Sequence, residues 1–197
     1  MIVTRMDDPL PSLMSEADAG GESLARSPGL HLSDIYRDIE REIAPKNEWA
    51  DERQLRLYGE VGFLWERVFS NAYRDAVVDG GEGDYVRPGE FEADGIIGSP
   101  DLIRMSDWTV IETKAAWKSV RKWDEDLEKN FWLWLVQVKG YCRLIGTDVA
   151  EIHPIFINGN YKPPMPTKRG VRLEFSTREI EGNWTMLKEH AQRKGWL

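Results

Sequence analysis

The 197-residue sequence predicts an α/β fold, and three observations carry that reading. Two stretches, around residues 50–77 and 122–145, repeat apolar residues at steps of three and four, as buried helix faces do. Between them the chain breaks into short β-type runs separated by Gly, Pro, Ser and Asp turn signals. After the second helix a run of apolar residues leads to a capped C-terminal helix. Helix, meander, helix, strand, helix is an α/β order. The length suits one core, so the chain reads as a flexible or loosely docked N-terminal arm over 1–30 and a single domain over 31–197.

The elements follow in order. Residues 1–30 hold Gly20, Gly21, Pro9, Pro11 and Pro28 and no sustained apolar period, hence the arm. Ile35, Tyr36, Ile39 and Ile43 sit at helical spacing behind Ser33, a suitable N-cap, and Pro45 closes that helix. A longer helix runs from about Ala50 to about Val77 on Leu55, Tyr58, Val61, Leu64, Trp65 and Val68, and Gly80, Gly81 and Gly83 end it. The runs EFEADGII, PDLIRM and DWTVIETK between Tyr85 and Lys114 read as one antiparallel meander. From Lys122 to Ile145, the residues Leu127, Phe131, Trp134, Leu135, Val138, Cys142 and Ile145 make one stripe, with Gly146 as C-cap. EIHPIFING is a buried strand, 160–170 a loop with Pro and Lys, and Ser176 to Glu179 a capping box that opens a helix with Ile180, Trp184 and Leu187 inward.

Composition narrows the function. No run approaches the roughly 18 apolar residues of a membrane span, and the N-terminus lacks a signal peptide's apolar stretch, so a cytoplasmic protein is expected. Cys142, the single cysteine, cannot form an internal disulfide. The net charge of -8 argues against a protein that coats nucleic acid by bulk electrostatics. It is compatible with acidic residues that hold a metal, since the ion restores local attraction for phosphate.

The stretch from Pro100 to Lys114 concentrates chemistry. Asp101 opens one strand, and the next carries Glu112 and Lys114, two residues apart and therefore on one face. A bend that brings Asp101 beside Glu112 would let both bind Mg²⁺ (or Mn²⁺), with the Thr113 carbonyl as a further ligand. Lys114, kept protonated by the carboxylates, would stabilise an activated hydroxide or the phosphorane charge.

Pro-Asp, ten intervening residues, then Glu-Thr-Lys resembles the PD-(D/E)XK nuclease superfamily. GFLWE, with Gly62 and Glu66 on the long helix, resembles the Gly-xxx-Glu element of its RecB-like and lambda-exonuclease-like branch. QVKGY, with Gln137 and Tyr141, resembles that branch's Gln-xxx-Tyr. The likeness spans roughly residues 55–160, with weaker likeness to phage members beyond. It implies a restriction-endonuclease-like core with a mixed central β-sheet flanked by helices. It also implies a metal-dependent deoxyribonuclease, an exonuclease of recombination, repair or phage DNA replication in the host cytoplasm. Its Mg²⁺ (or Mn²⁺) would be held by Glu66, Asp101, Glu112 and Thr113, with Gln137 and Tyr141 on the substrate strand. DNA is the implied substrate, with a homo-oligomer or a recombination or helicase partner completing the assembly.

Blander readings stand beside these. Glu112 and Lys114 could form a surface salt-bridge ladder. Asp94 competes with Asp101 but suits a turn, and Glu60 competes with Glu66 from another face of the helix. Tyr141 could be core and Gln137 surface. Trp117, Lys118, Arg121 and Lys122 suit a nucleic-acid strand or a solvated basic patch. His31, His153 and His190 show no metal-ligand spacing and read as structural or surface residues. An endonuclease of the same fold and a non-catalytic binding or scaffold subunit are the rival functions.

Overall fold

The computed structural model describes residues 1–6, 27–43, 52–78 and 85–197. Strands β1 (Ile2–Met6) and β2 (Leu30–His31) precede helix α1 (Leu32–Ile43), and the long helix α2 (Glu52–Val78) follows. Next come β3 (Tyr85–Val86), β4 (Phe91–Ala93), β5 (Ile96–Gly98), β6 (Leu102–Arg104) and β7 (Thr109–Ala116). Helices α3 (Val120–Glu125), α4 (Leu127–Asn130) and α5 (Trp132–Ile145) lead to β8 (Val149–Phe156), and β9 (Thr167–Lys168), β10 (Gly170–Glu174) and α6 (Thr177–Arg193) follow.

Seven of these strands form the main sheet, in the order β1-β10-β8-β7-β6-β3 with β9 on β8. β7 and β8 run parallel, so a helical crossover must join them, and α3 to α5 supply it. The other pairs in this sheet are antiparallel, which makes the sheet mixed. Alternation along β7 and β8 feeds two cores. Val110, Ala116, Ala150, Ile152 and Phe156 join the large cluster with α1, α5 and α6; Ile111 joins Leu102 and Phe69, a residue of α2, on the opposite face.

The structure changes four of the readings above. The meander is divided, because Ser99 and Pro100 pass the chain from one sheet to another. β4 and β5 form a hairpin that joins β2 in a separate three-stranded sheet, whereas β6 and β7 belong to the main one. The helix read over Lys122–Ile145 is three helices. The extended residue Asp126 ends α3 and caps α4 by accepting from the Lys129 amide, and Phe131 is the non-helical step before α5. The arm over 1–30 contains a strand, since Ile2–Met6 pairs with β10 across the register Ile2 to Glu174 through Met6 to Gly170. The helix read with Ser33 as its N-cap begins at Leu32, which puts Ser33 inside its first turn. Residues 7–26, Pro45, Gly80, Gly81 and Gly83 lie outside the described residues.

A fifth reading changes as well, since the loop over 160–170 holds β9 and the first residue of β10, whereas the caps at Gly146 and Ser176 stand as read. Gly146 takes a left-handed conformation, φ 83°, as the C-cap of α5. Ser176 and Glu179 make both bonds of the capping box, and Ile180, Trp184 and Leu187 are buried.

Candidate active site

β7 is the organising element. Leu102 on β6 pairs with Ile111 on β7, and one further antiparallel step sets Asp101 across from Glu112. β6 has ended by then, so the edge of β7 beyond Ile111 is open to a side chain. Asp101 takes that place: its Oδ2 accepts from the Thr113 amide at 2.7 Å and the Thr113 hydroxyl at 2.6 Å. The amide and carbonyl of a strand residue project to the same edge, so the Thr113 carbonyl also lies on the Asp101 side, away from β8.

Glu112 lies on the other face of β7, 2% exposed. Its Oε1 accepts from Lys114 Nζ and, at 2.8 Å, from Gln137 Nε2. The same Gln137 nitrogen donates to the Tyr141 hydroxyl at 2.9 Å, one turn along α5. Among the described residues nothing donates to Glu112 Oε2, which is fully buried. Gln137 and Tyr141, each 6% exposed, therefore buttress Glu112 from inside.

Glu66 arrives from α2. Phe69, three residues on, anchors that helix against Ile111 and Leu102, and Trp65 Nε1 donates to the His153 carbonyl at 3.4 Å. Residues three apart share a helix face, so Glu66 faces the sheet, where Arg87 Nη2 donates to its Oε1 at 2.9 Å. A Cβ on Gly62 would meet open space. Glu60 is exposed on a different face.

Electrostatics marks these groups as one site. Burial and the nearby Asp101 and Glu66 charges push the Glu112 carboxyl up to about 8, against the opposing Lys114. Burial and Asp101 push Glu66 up to about 7, with Arg87 and Lys114 opposing. The Glu112 and Asp101 charges keep the Lys114 ammonium protonated despite its burial. Three carboxylates face two cations here, and their mutual repulsion adds to burial in raising Glu112 and Glu66. Tyr36 of α1 belongs to the same field: burial raises its phenol, and Lys114, Glu112 and Asp101 all act on it.

A divalent cation fits these residues. The buried Glu112 oxygen without a donor, the Glu66 and Asp101 carboxylates, and a backbone carbonyl outside the β-ladder form an oxygen donor set suited to Mg²⁺. The carboxylates now hold other partners: Thr113 for Asp101, Lys114 and Gln137 for Glu112, Arg87 for Glu66.

Two competing positions are explained otherwise. Asp94 (φ 53°) and Gly95 (φ 76°) form the two-residue turn between β4 and β5, and Asp94 accepts from Trp184 Nε1 and Lys188. Asp38, Glu42 and His190 place ligand atoms within 4.8 Å of one another, but Lys194 bridges both carboxylates at 2.9 and 2.8 Å and Arg193 adds a contact to Glu42. The triad is thus a neutralised clamp between α1 and α6.

Beyond β7 the chain carries Trp117, whose ring lies 4.9 Å from that of Tyr58 of α2 at 43°. Lys118 is exposed, over the Phe131 ring at 5.3 Å, and Arg121 is exposed. Tyr36 and Arg87 are the site neighbours that sequence reasoning missed. Tyr36 reads as one more apolar position of its helix, and Arg87 belongs to no motif.

No family model and no curated protein matches this sequence. Solved structures do match in shape. A phage-related exonuclease from Haemophilus somnus 129PT shares 16% identity at TM-score 0.50, over 82% of this chain and 78% of that one. An alkaline exonuclease from Laribacter hongkongensis shares 14% at TM-score 0.48, over 82% and 77%. The fold, a mixed seven-stranded sheet flanked by helices, is the restriction-endonuclease-like one expected from the sequence, and the chain shares it with that phage-related exonuclease.

Proposed function

We propose that the protein is a divalent-metal-dependent deoxyribonuclease of the exonuclease kind. The observation that carries this is Glu112: a buried carboxylate with one oxygen held by Lys114 and Gln137, the other without a donor, and Asp101 across from it at the end of β6. The exonuclease kind and the DNA substrate rest on likeness of fold to the phage-related exonuclease.

Glu66, Asp101 and Glu112, with the Thr113 carbonyl, are the residues that would hold Mg²⁺ or Mn²⁺. Bound there, the cation supplies Lewis acidity toward a phosphodiester and acidifies water. The remaining work falls to the chain's own groups. Lys114, protonated beside Glu112, presents positive charge to the charge that develops on phosphorus. Gln137 fixes the rotamer of Glu112, and Tyr141 fixes the amide of Gln137, so both act through Glu112. Trp117, Lys118 and Arg121 continue from β7 and offer aromatic and cationic contacts to the substrate strand. A homo-oligomer or a recombination or helicase partner would keep so acidic a protein on its substrate.

Incubating the protein with linear and covalently closed circular duplex DNA, with Mg²⁺, Mn²⁺ or chelator, tests the reading. Cation-dependent loss of linear DNA alone is expected, falling more than about 1000-fold in Glu112→Ala and Lys114→Ala. Unchanged cleavage by those variants would overturn the site. Cutting of closed circles would make the enzyme an endonuclease, and wild type inert with every metal would leave a binding subunit that keeps the fold.

A further inference from the structure

Arg87 stands apart among the described arginines whose carboxylate partners are on the page. Arg104 and Arg172 share Asp107 and Glu151, Arg169 holds Asp124, Arg143 holds Glu181 and Arg193 holds Glu42. Each of those acids has a structural job only. Arg87 instead holds Glu66 at 2.9 Å, a carboxylate of the metal-binding set.

Its position is fixed by the sheet. Tyr85 pairs with Arg104 and Val86 with Ile103, so one further step places Arg87 across from Leu102, the neighbour of Asp101. The guanidinium is anchored on the edge strand next to the site, yet 36% of the side chain remains exposed. Lys114 is committed to Glu112 and largely buried. Between the two cations paired with the site's carboxylates among the described residues, Arg87 is thus the more open to solvent and to a ligand.

Resting on the nuclease reading above, we propose that Arg87 is a phosphate-contact residue for the nucleic-acid substrate, stored against Glu66 until the cation claims that carboxylate. The planar fork of a guanidinium pairs with two phosphate oxygens as readily as with a carboxylate. Without metal, Glu66 and Arg87 neutralise each other. When Glu66 turns to the cation, the Arg87 guanidinium turns to a backbone phosphate of the strand entering the site. The pair thus couples metal loading to substrate grip, in a protein whose net charge of -8 leaves phosphate attraction to a few local cations.

The test is equilibrium binding of a short duplex DNA as a function of salt, with Ca²⁺ and with EDTA, for wild type, Arg87→Gln and Arg87→Lys. A lost phosphate contact lowers the slope of log K against log salt by about 0.9. Wild type should show the steeper slope in Ca²⁺ and lose about 0.9 of it in EDTA. Arg87→Gln should show the shallow slope in both media, and Arg87→Lys should recover most of it, a pattern that a purely structural ion pair would not produce. Equal slopes for wild type and Arg87→Gln in Ca²⁺, with DNA bound, would overturn the role of Arg87 alone. Wild type that neither binds nor cuts DNA would overturn the nuclease reading itself. A matching urea midpoint for Arg87→Gln shows that the variant is folded.

Discussion

At the scale of single residues, the site is a concentration of charge that folding alone would not select. Glu112 is buried with one oxygen lacking a donor, and burial raises its pKa to about 8. An ionised, incompletely bonded carboxylate in the core costs stability, and such costs gather where function needs them. A carboxyl raised from 4.5 to about 8 costs stability increasingly from about pH 4.5 upward, whether it takes up a proton or stays ionised, and Gln in its place keeps the shape without that cost. In chelator, Glu112→Gln should melt several degrees above wild type, since about 1 kcal/mol corresponds to roughly 2–4 °C at this chain length. Added Mg²⁺ should then raise the wild-type melting temperature and leave that of the variant nearly unmoved. An equal Mg²⁺ gain in both proteins would place the cation elsewhere. Asp101, Glu112 and Lys114 were legible in the sequence because period-two alternation and a short turn suffice to gather them. Tyr36 and Arg87 were not, because their nearness to Lys114 and Glu66 is set by helix docking and strand pairing, which leave no local mark.

At the scale of elements, α5 carries the support of the site, and α1 must pack closely on it. Gly140 permits that approach: a Cβ there would lie 2.6 Å from Leu32 Cδ2 and 3.0 Å from Cδ1, and Leu32 is 1% exposed and cannot yield. Gly140→Ala gains about 1 kcal/mol of helix propensity and loses about 1–3 kcal/mol to overpacking, so a net loss of about 1 kcal/mol is expected. A lower urea midpoint at unchanged m would register it; an equal or higher midpoint would show that α1 shifts freely. The helices with strong stripes, α1, α2 and α6, were readable to within a residue or two, and α6 also by its capping box. The breaks at Asp126 and Phe131 were hidden by an apolar stripe that runs through them, although Asp126 is itself a good N-cap residue. β1 was hidden for another reason. Five residues with exposed side chains at Ile2, Val3 and Thr4 carry no apolar period, and their pairing partner lies about 165 residues away. The split between β5 and β6 is likewise tertiary, since β5 finds its second neighbour in β2.

At the scale of the whole molecule, the main sheet is bound by ions on the face opposite Glu112. Glu151 of β8, 2% exposed, accepts from Arg104 of β6 and Arg172 of β10, both at 2.9 Å, and from His153 at 3.0 Å. Asp107 in the β6–β7 turn holds the outer ends of both arginines, and Thr109 of β7 sits between them. One carboxylate thus joins β6 and β10 to β8, its two arginines add β7 through Thr109, and the edge that bears Asp101 is tied to the far side of the sheet. Its partners outweigh its burial and hold its pKa down at about 2, below the ordinary 4.5. The unfolded chain therefore binds a proton on Glu151 at a higher pH than the folded chain does. Its contribution is complete above about pH 4.5 and drains away as the pH falls toward 2. Metal-free protein should accordingly lose urea stability steeply over that window. Glu151→Gln leaves two arginines facing a neutral amide, which should cost about 3 kcal/mol at neutral pH and flatten the acid limb relative to wild type. If the variant keeps the wild-type acid slope, the acid lability lies elsewhere, and the sheet is held by its two cores and not by this carboxylate.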